Sequence, residues 1–145
     1  MNSYSKVLWS LLIFSALFAK TLEAKEICSN IKDCLEKSEK TNIHRKKIRY
    51  YDEAINGQKS AKKNDLIVIV YLLRANSVIR EAQGDTGYKG EIALKVTHKP
   101  EYIKSQYQKA KLDLIKVTSD VELLTPEYRA LYLELNQILE KESVE

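Results

Sequence analysis

Twice in this chain a tyrosine is followed three residues later by an alanine, at Tyr51–Ala54 and at Tyr107–Ala110. Each pair lies in a stretch whose apolar residues recur at three- and four-residue intervals, so a ring and a small side chain share one helix face. No other feature constrains the fold as much as this repeated surface. With only 4 glycines and 2 prolines in 145 residues, the chain has few places to turn, which argues against a β-rich or disordered organisation. The expectation is an all-α chain of antiparallel helix pairs.

A short first helix follows Ser29 or Asn30 as N-cap, with Ile31, Cys34 and Leu35 on one face. Thr41-Asn42 breaks it. The second is expected from Ile43 to about Lys63, with Ile48, Tyr51, Ala54, Ile55 and Ala61 on its apolar side. Gly57 should bend or fray it, because a mid-helix glycine costs about 1 kcal/mol relative to alanine. From Leu66 to Gln83 the chain opens with LIVIVYLL, a run that also suits a buried strand; the amphipathic RANSVIREAQ that follows without a break favours a central helix. Gly84-Asp85 ends it.

Residues 84–99, with Gly84, Gly87 and Gly90, read as an irregular insertion in which EIALKV forms at most a short helix. Pro100 suits the first turn of a fourth helix, with Tyr102, Tyr107, Ala110, Leu114 and Val117 inward. Thr125 and Pro126 open a fifth, which buries Tyr128, Leu131, Leu135, Ile138 and Leu139.

The N-terminal segment stands apart. Lys6 and Lys20 bracket a 13-residue apolar run from Val7 to Ala19. That is short of the about 20 residues that span a bilayer but suits the core of a secretory signal. Cleavage is expected after Ala24, with Ala19 as the other candidate, so that residues 1–24 are a signal peptide and 25–145 one helical domain. An uncleaved anchor is the alternative. Export would put Cys28 and Cys34 in an oxidising compartment. Inside one helix their six-residue separation rises about 9 Å, beyond the roughly 7 Å Cα limit for a disulfide. A bridge therefore needs Cys28 ahead of the helix and folded back on it; the alternative is two free buried thiols.

No catalytic motif is present: no phosphate-binding glycine loop, no HExxH, no G-x-S-x-G. His44 and His98 lie in polar surroundings typical of exposed turns, Asp52 and Glu53 on what reads as a solvated face. No cofactor or metal site is expected. Arg45, Lys46, Lys47 and Arg49 make the second helix basic. Nucleic acid is a poor partner for an exported chain, and weak contact with an anionic membrane surface is the more sensible reading of these residues.

Tyr51-Asp52-Glu53-Ala54-Ile55 resembles the opening of helix B of a tetratricopeptide repeat. Tyr71-Leu72-Leu73-Arg74-Ala75-Asn76-Ser77-Val78 is similar to helix A of the next unit, Tyr107-Gln108-Lys109-Ala110 to its helix B, and Tyr132-Leu133-Glu134-Leu135-Asn136 to a third helix A. The two Tyr–Ala motifs stand 56 residues apart against a 34-residue unit, and segment 84–99 carries most of the excess. The resemblance implies an α-solenoid of two to three units. It also implies a peptide-binding groove lined by A helices, to which Asn76, Arg80 and Gln137 would contribute. Leu72 and Leu133 occupy the places of the family's carboxylate-binding lysines, which weighs against recognition of a free C-terminus. The function so implied is an exported, non-enzymatic module of the cell envelope that binds a protein or peptide. The alternative is a structural or regulatory helical protein held at the membrane surface.

Overall fold

Asn30 opens the first helix, α1 (Ile31–Glu39), by accepting the Asp33 N–H on its side chain at 3.0 Å. Asp33 returns the favour one residue earlier, accepting the Ser29 N–H at 2.8 Å, so two donors at the helix start are satisfied. The structure is a computed structural model that describes residues 27–58, 66–89 and 96–142. The expected signal peptide, residues 1–24, lies outside the described residues. Cys28 sits ahead of α1 and is disulfide-bonded to Cys34, with the two Cα atoms 5.2 Å apart. This is the fold-back that the spacing required. Both cysteines are buried.

Four more helices follow: α2 (His44–Gly57), α3 (Leu66–Ala82), α4 (Pro100–Thr118) and α5 (Pro126–Glu142), with a 3₁₀ turn at Val121–Leu123 before the last. The described residues are all-helical, without a strand among them. α2 ends at Gly57 rather than running on to Lys63, and Gln58 caps it. The glycine, expected to bend or fray the helix, is its last residue. Ala61 lies outside the described residues.

The run IVIV is helical. α3 is the central element: Val70, Leu72, Ala75, Val78 and Ile79 are all 0% exposed. A helix apolar nearly all round must be surrounded, and α3 packs against α2 and α4 and touches α1 and α5. Cross-helix contacts show the directions. Arg45 meets Glu81 and Asp52 meets Arg74, so α2 and α3 are antiparallel; Arg74 meets Asp113 and Glu81 meets Tyr102, so α3 and α4 are too. Of the two tyrosine–alanine motifs, Ala54 and Ala110 are buried, as is Tyr51, while Tyr107 is partly covered against the core.

The connections carry their own logic. Gly84 stops α3 with φ +84°, its N–H donating to Glu81 O and the Asp85 N–H to Arg80 O, both at 3.0 Å. This is a Schellman cap, and the left-handed backbone favours glycine. Gly87 lies so close to the α1–α2 connection that a Cβ there would stand 1.8 Å from Asn42 O, and His44 N–H donates to Thr86 O at 3.1 Å. The start of segment 84–99 is thus laid against the entrance of α2. Residues 90–95, which hold most of EIALKV, lie outside the described residues, and Val96 is not helical. Pro100 takes the first turn of α4 as expected, and Thr125 Oγ1 receives the Tyr128 N–H at 3.5 Å at the start of α5.

Candidate partner-binding face

Asn76 and Arg80 lie one turn apart on α3, so their side chains leave the helix on one face. Leu72, one turn earlier on that stripe, is fully buried in the core. The stripe therefore climbs from core to surface along α3, and Leu72 is a packing residue rather than a groove residue. At the surface end Arg80 donates to Glu134 Oε1 of α5 at 2.8 Å. Gln137, exposed, stands one turn beyond Glu134. The structure thus brings α3 and α5 together at Arg80, through Glu134, a residue that sequence reasoning did not select. Asn76 Oδ1 is buried with no hydrogen-bond partner. A carbonyl oxygen so placed forfeits a hydrogen bond that water would otherwise supply.

Two charged hubs, at Arg74 and Glu81, lie on another stripe of α3. Asp52 is not merely a solvated charge: its side chain is 39% exposed and also held by its neighbours. Arg74 donates to Asp52 Oδ1 at 2.6 Å and grips both oxygens of Asp113, one of them through Nε at 2.8 Å. Lys109 Nζ stands 3.5 Å from the same Asp52 oxygen. One guanidinium thereby ties α2, α3 and α4 together. Its fork geometry suits two carboxylates at once. Burial pushes the Asp113 carboxyl above its ordinary value, against the pull of Arg74.

His44 and His98 are likewise not in exposed turns: their side chains are only 13% and 11% exposed. His98 Nε2 lies 3.5 Å from Glu81 Oε1, which also receives Arg45 Nε at 2.8 Å, while Tyr102 donates to Oε2 at 2.6 Å. Burial works to raise the Glu81 pKa, and the hydrogen bonds from Tyr102 and Arg45 outweigh it, leaving the carboxylate below its usual range. Next to this hub His44 faces Asp85 at 3.5 Å. Burial lowers the His44 pKa, and Asp85 only partly restores it.

Chemically the Glu81 hub is saturated, since both carboxylate oxygens accept hydrogen bonds from protein groups. Among the described residues no group of histidine, cysteine, aspartate and glutamate is placed to hold a metal ion. Of the basic residues on α2, Arg45 is engaged by Glu81, while Lys46 and Arg49 are exposed. The only hint of the hubs in the sequence is an arginine and a glutamate, Arg74 and Glu81, seven residues apart in a helix that opens on an apolar run. A buried charge demands a partner, but nothing local says which residue it is. No protein-family model, curated protein or solved structure matches the chain.

Proposed function

We propose that this protein is an exported, non-enzymatic interaction module that binds a protein or peptide partner along the α3–α5 face, in the manner of a tetratricopeptide-like array. The observation that carries the reading is Asn76: a buried, unpartnered carbonyl oxygen one turn from Arg80, at the junction of two helices. The carboxamide turns about a soft χ2, which lets its oxygen meet an N–H brought by a bound chain. Arg80 and the exposed Gln137 extend the same polar strip. The burial of Ala54 and Ala110 supports the repeat-like reading, since small residues let paired helices approach closely. The disulfide-bonded Cys28–Cys34 pair supports an oxidising, exported setting.

Affinity capture from the native envelope with residues 25–145 tests the proposal. A partner retained by the parent chain should be lost with Asn76→Ala/Arg80→Ala, while the melting temperature stays near that of the parent. Undiminished capture by that variant would sink the assignment of this face.

A second reading is favoured by the opening turns of α2, where Lys46 and Arg49 are exposed beside Arg45 and the first turn holds no acidic residue. Such a surface meets anionic lipid, with about 1 kcal/mol per basic residue near the bilayer. No helix of the described residues is long and apolar enough to cross a membrane. Salt-sensitive sedimentation with anionic vesicles, lost on Lys46→Glu/Arg49→Glu, is the result this reading expects.

A further inference from the structure

Away from the α3–α5 face, α4 and the last turns of α5 leave a groove of about 620 Å³ between them. Its α4 wall is a single stripe at helical spacing, in which Ile103 and Tyr107 supply the apolar surface and Lys104 and Lys111 the charge. Leu139 of α5 completes the apolar floor. Beyond the groove Leu112 and Ile115 continue an apolar path along α4, 64% and 58% exposed. Lys104 and Lys111 are themselves exposed, and neither pairs with a carboxylate of the described residues.

We propose that this groove docks an amphipathic helix of a partner protein, acidic along the edge that faces α4. The surface is independent of the α3–α5 face, so the two proposals stand or fall separately. The occupant is a helix because α4 offers no backbone donor or acceptor along its length: those groups are spent within the helix, and a docked chain must satisfy its own. Its acidity follows from the lysines. Seven residues separate them, about 10 Å along the axis, which matches carboxylates two turns apart on an opposing helix. Glu142, on the α5 wall close to Tyr107, repels a carboxylate on that side and so fixes which edge of the occupant is acidic. A second copy of this chain is the poorer occupant, since its net charge is +4.

The test uses the disulfide-intact protein and a fluorescein-labelled synthetic helix with a leucine ridge and glutamates two turns apart. Its comparison is an isomer with lysines in place of the glutamates. Anisotropy titration should show the glutamate peptide binding about tenfold or more tightly than the lysine isomer, an advantage that shrinks at high salt. Lys104→Gln/Lys111→Gln should narrow that preference, and Lys104→Glu/Lys111→Glu should reverse it. Asn76→Ala/Arg80→Ala should leave it unchanged. Absence of binding overturns the proposal, as does equal binding of both peptides. So does a preference that depends on Arg80 instead of the lysines. A concentration-dependent dimer in sedimentation that the lysine variants abolish would assign the groove to a second copy, and overturn it too.

Discussion

The two charged hubs hold the same three helices by opposite means. At the Arg74 hub one guanidinium bonds two acids, with Lys109 standing beside the more open one, Asp52, and Asp113 is almost wholly shut away from water, its side chain 4% exposed. At the Glu81 hub one acid, equally buried, is served by a guanidinium, a phenol and an imidazole. Asp113 therefore takes its hydrogen bonds from a single side chain, whereas Glu81 spreads its compensation over three. A buried carboxylate survives on whatever remains after one partner is removed. The hubs should differ in how they fail.

The largest effect is expected at Arg74. Arg74→Met leaves Asp113 buried without its hydrogen-bonding cation, Lys109 remaining only as a charge nearby, and should cost about 3–5 kcal/mol of unfolding free energy in a urea titration. Arg74→Met/Asp113→Leu, which removes the stranded charge, should recover much of that loss. A single variant as stable as the parent would end the claim that one residue carries this hub.

Glu81→Gln is expected to be milder. The amide keeps the shape and an acceptor oxygen but gives up the charge that Arg45 and His98 face. A loss of about 1–3 kcal/mol follows from hydrogen bonds to a charged group becoming neutral ones. If this variant proves as damaging as Arg74→Met, the distinction between concentrated and distributed compensation fails.

Acid should separate the hubs with the smallest effect. The His44 pKa is lowered in the folded state, so below the ordinary imidazole value of about 6.5 the unfolded chain takes up the proton first. Stability from this group is present above that value and is lost as the pH falls through it. Glu81, also lowered, is lost next, as pH falls through the carboxylate range. Asp113 is raised, so its folded form accepts a proton more readily than the unfolded chain, and acid does not weaken it in the same way. Protection factors from native-state hydrogen exchange, followed from pH 7.5 to 5, should therefore fall at the end of α3, around residues 79–85, before its middle. His44→Asn should flatten that slope. A uniform loss of protection along α3 would contradict the assignment.

Much of the helical framework was legible in the sequence. Periodicity located the five helices of the described residues, Ser29 or Asn30 and Pro100 marked starts, and the cysteine spacing allowed a bridge only with Cys28 outside α1. These are local signals, read within a few turns. The one long error, the extension of α2 past Gly57, came from weighing apolar spacing above the glycine. The hubs were not legible because their logic is long-range: Arg74 and Asp113 lie 39 residues apart, Lys109 and Asp52 57 apart. Asp52 in isolation looks like any charge on a wet face. On the candidate face, Asn76 was singled out by its position in the tetratricopeptide resemblance and Arg80 by lying one turn further. Glu134 was missed because only tertiary packing sets it against Arg80.

The order in which the helices pack has a consequence for how the chain reaches this state. α1 pairs with α2, α2 with α3, and α3 with α4, each with its neighbour along the chain. Contacts of this kind close small loops, and small loops form quickly. The molecule can assemble by adding one helix at a time to a growing stack, beginning wherever two neighbours first meet. α3, completed only when helices arrive from both sides, is where such growth becomes cooperative. Substitutions there should slow folding, whereas those at the edge of α5 should chiefly hasten unfolding.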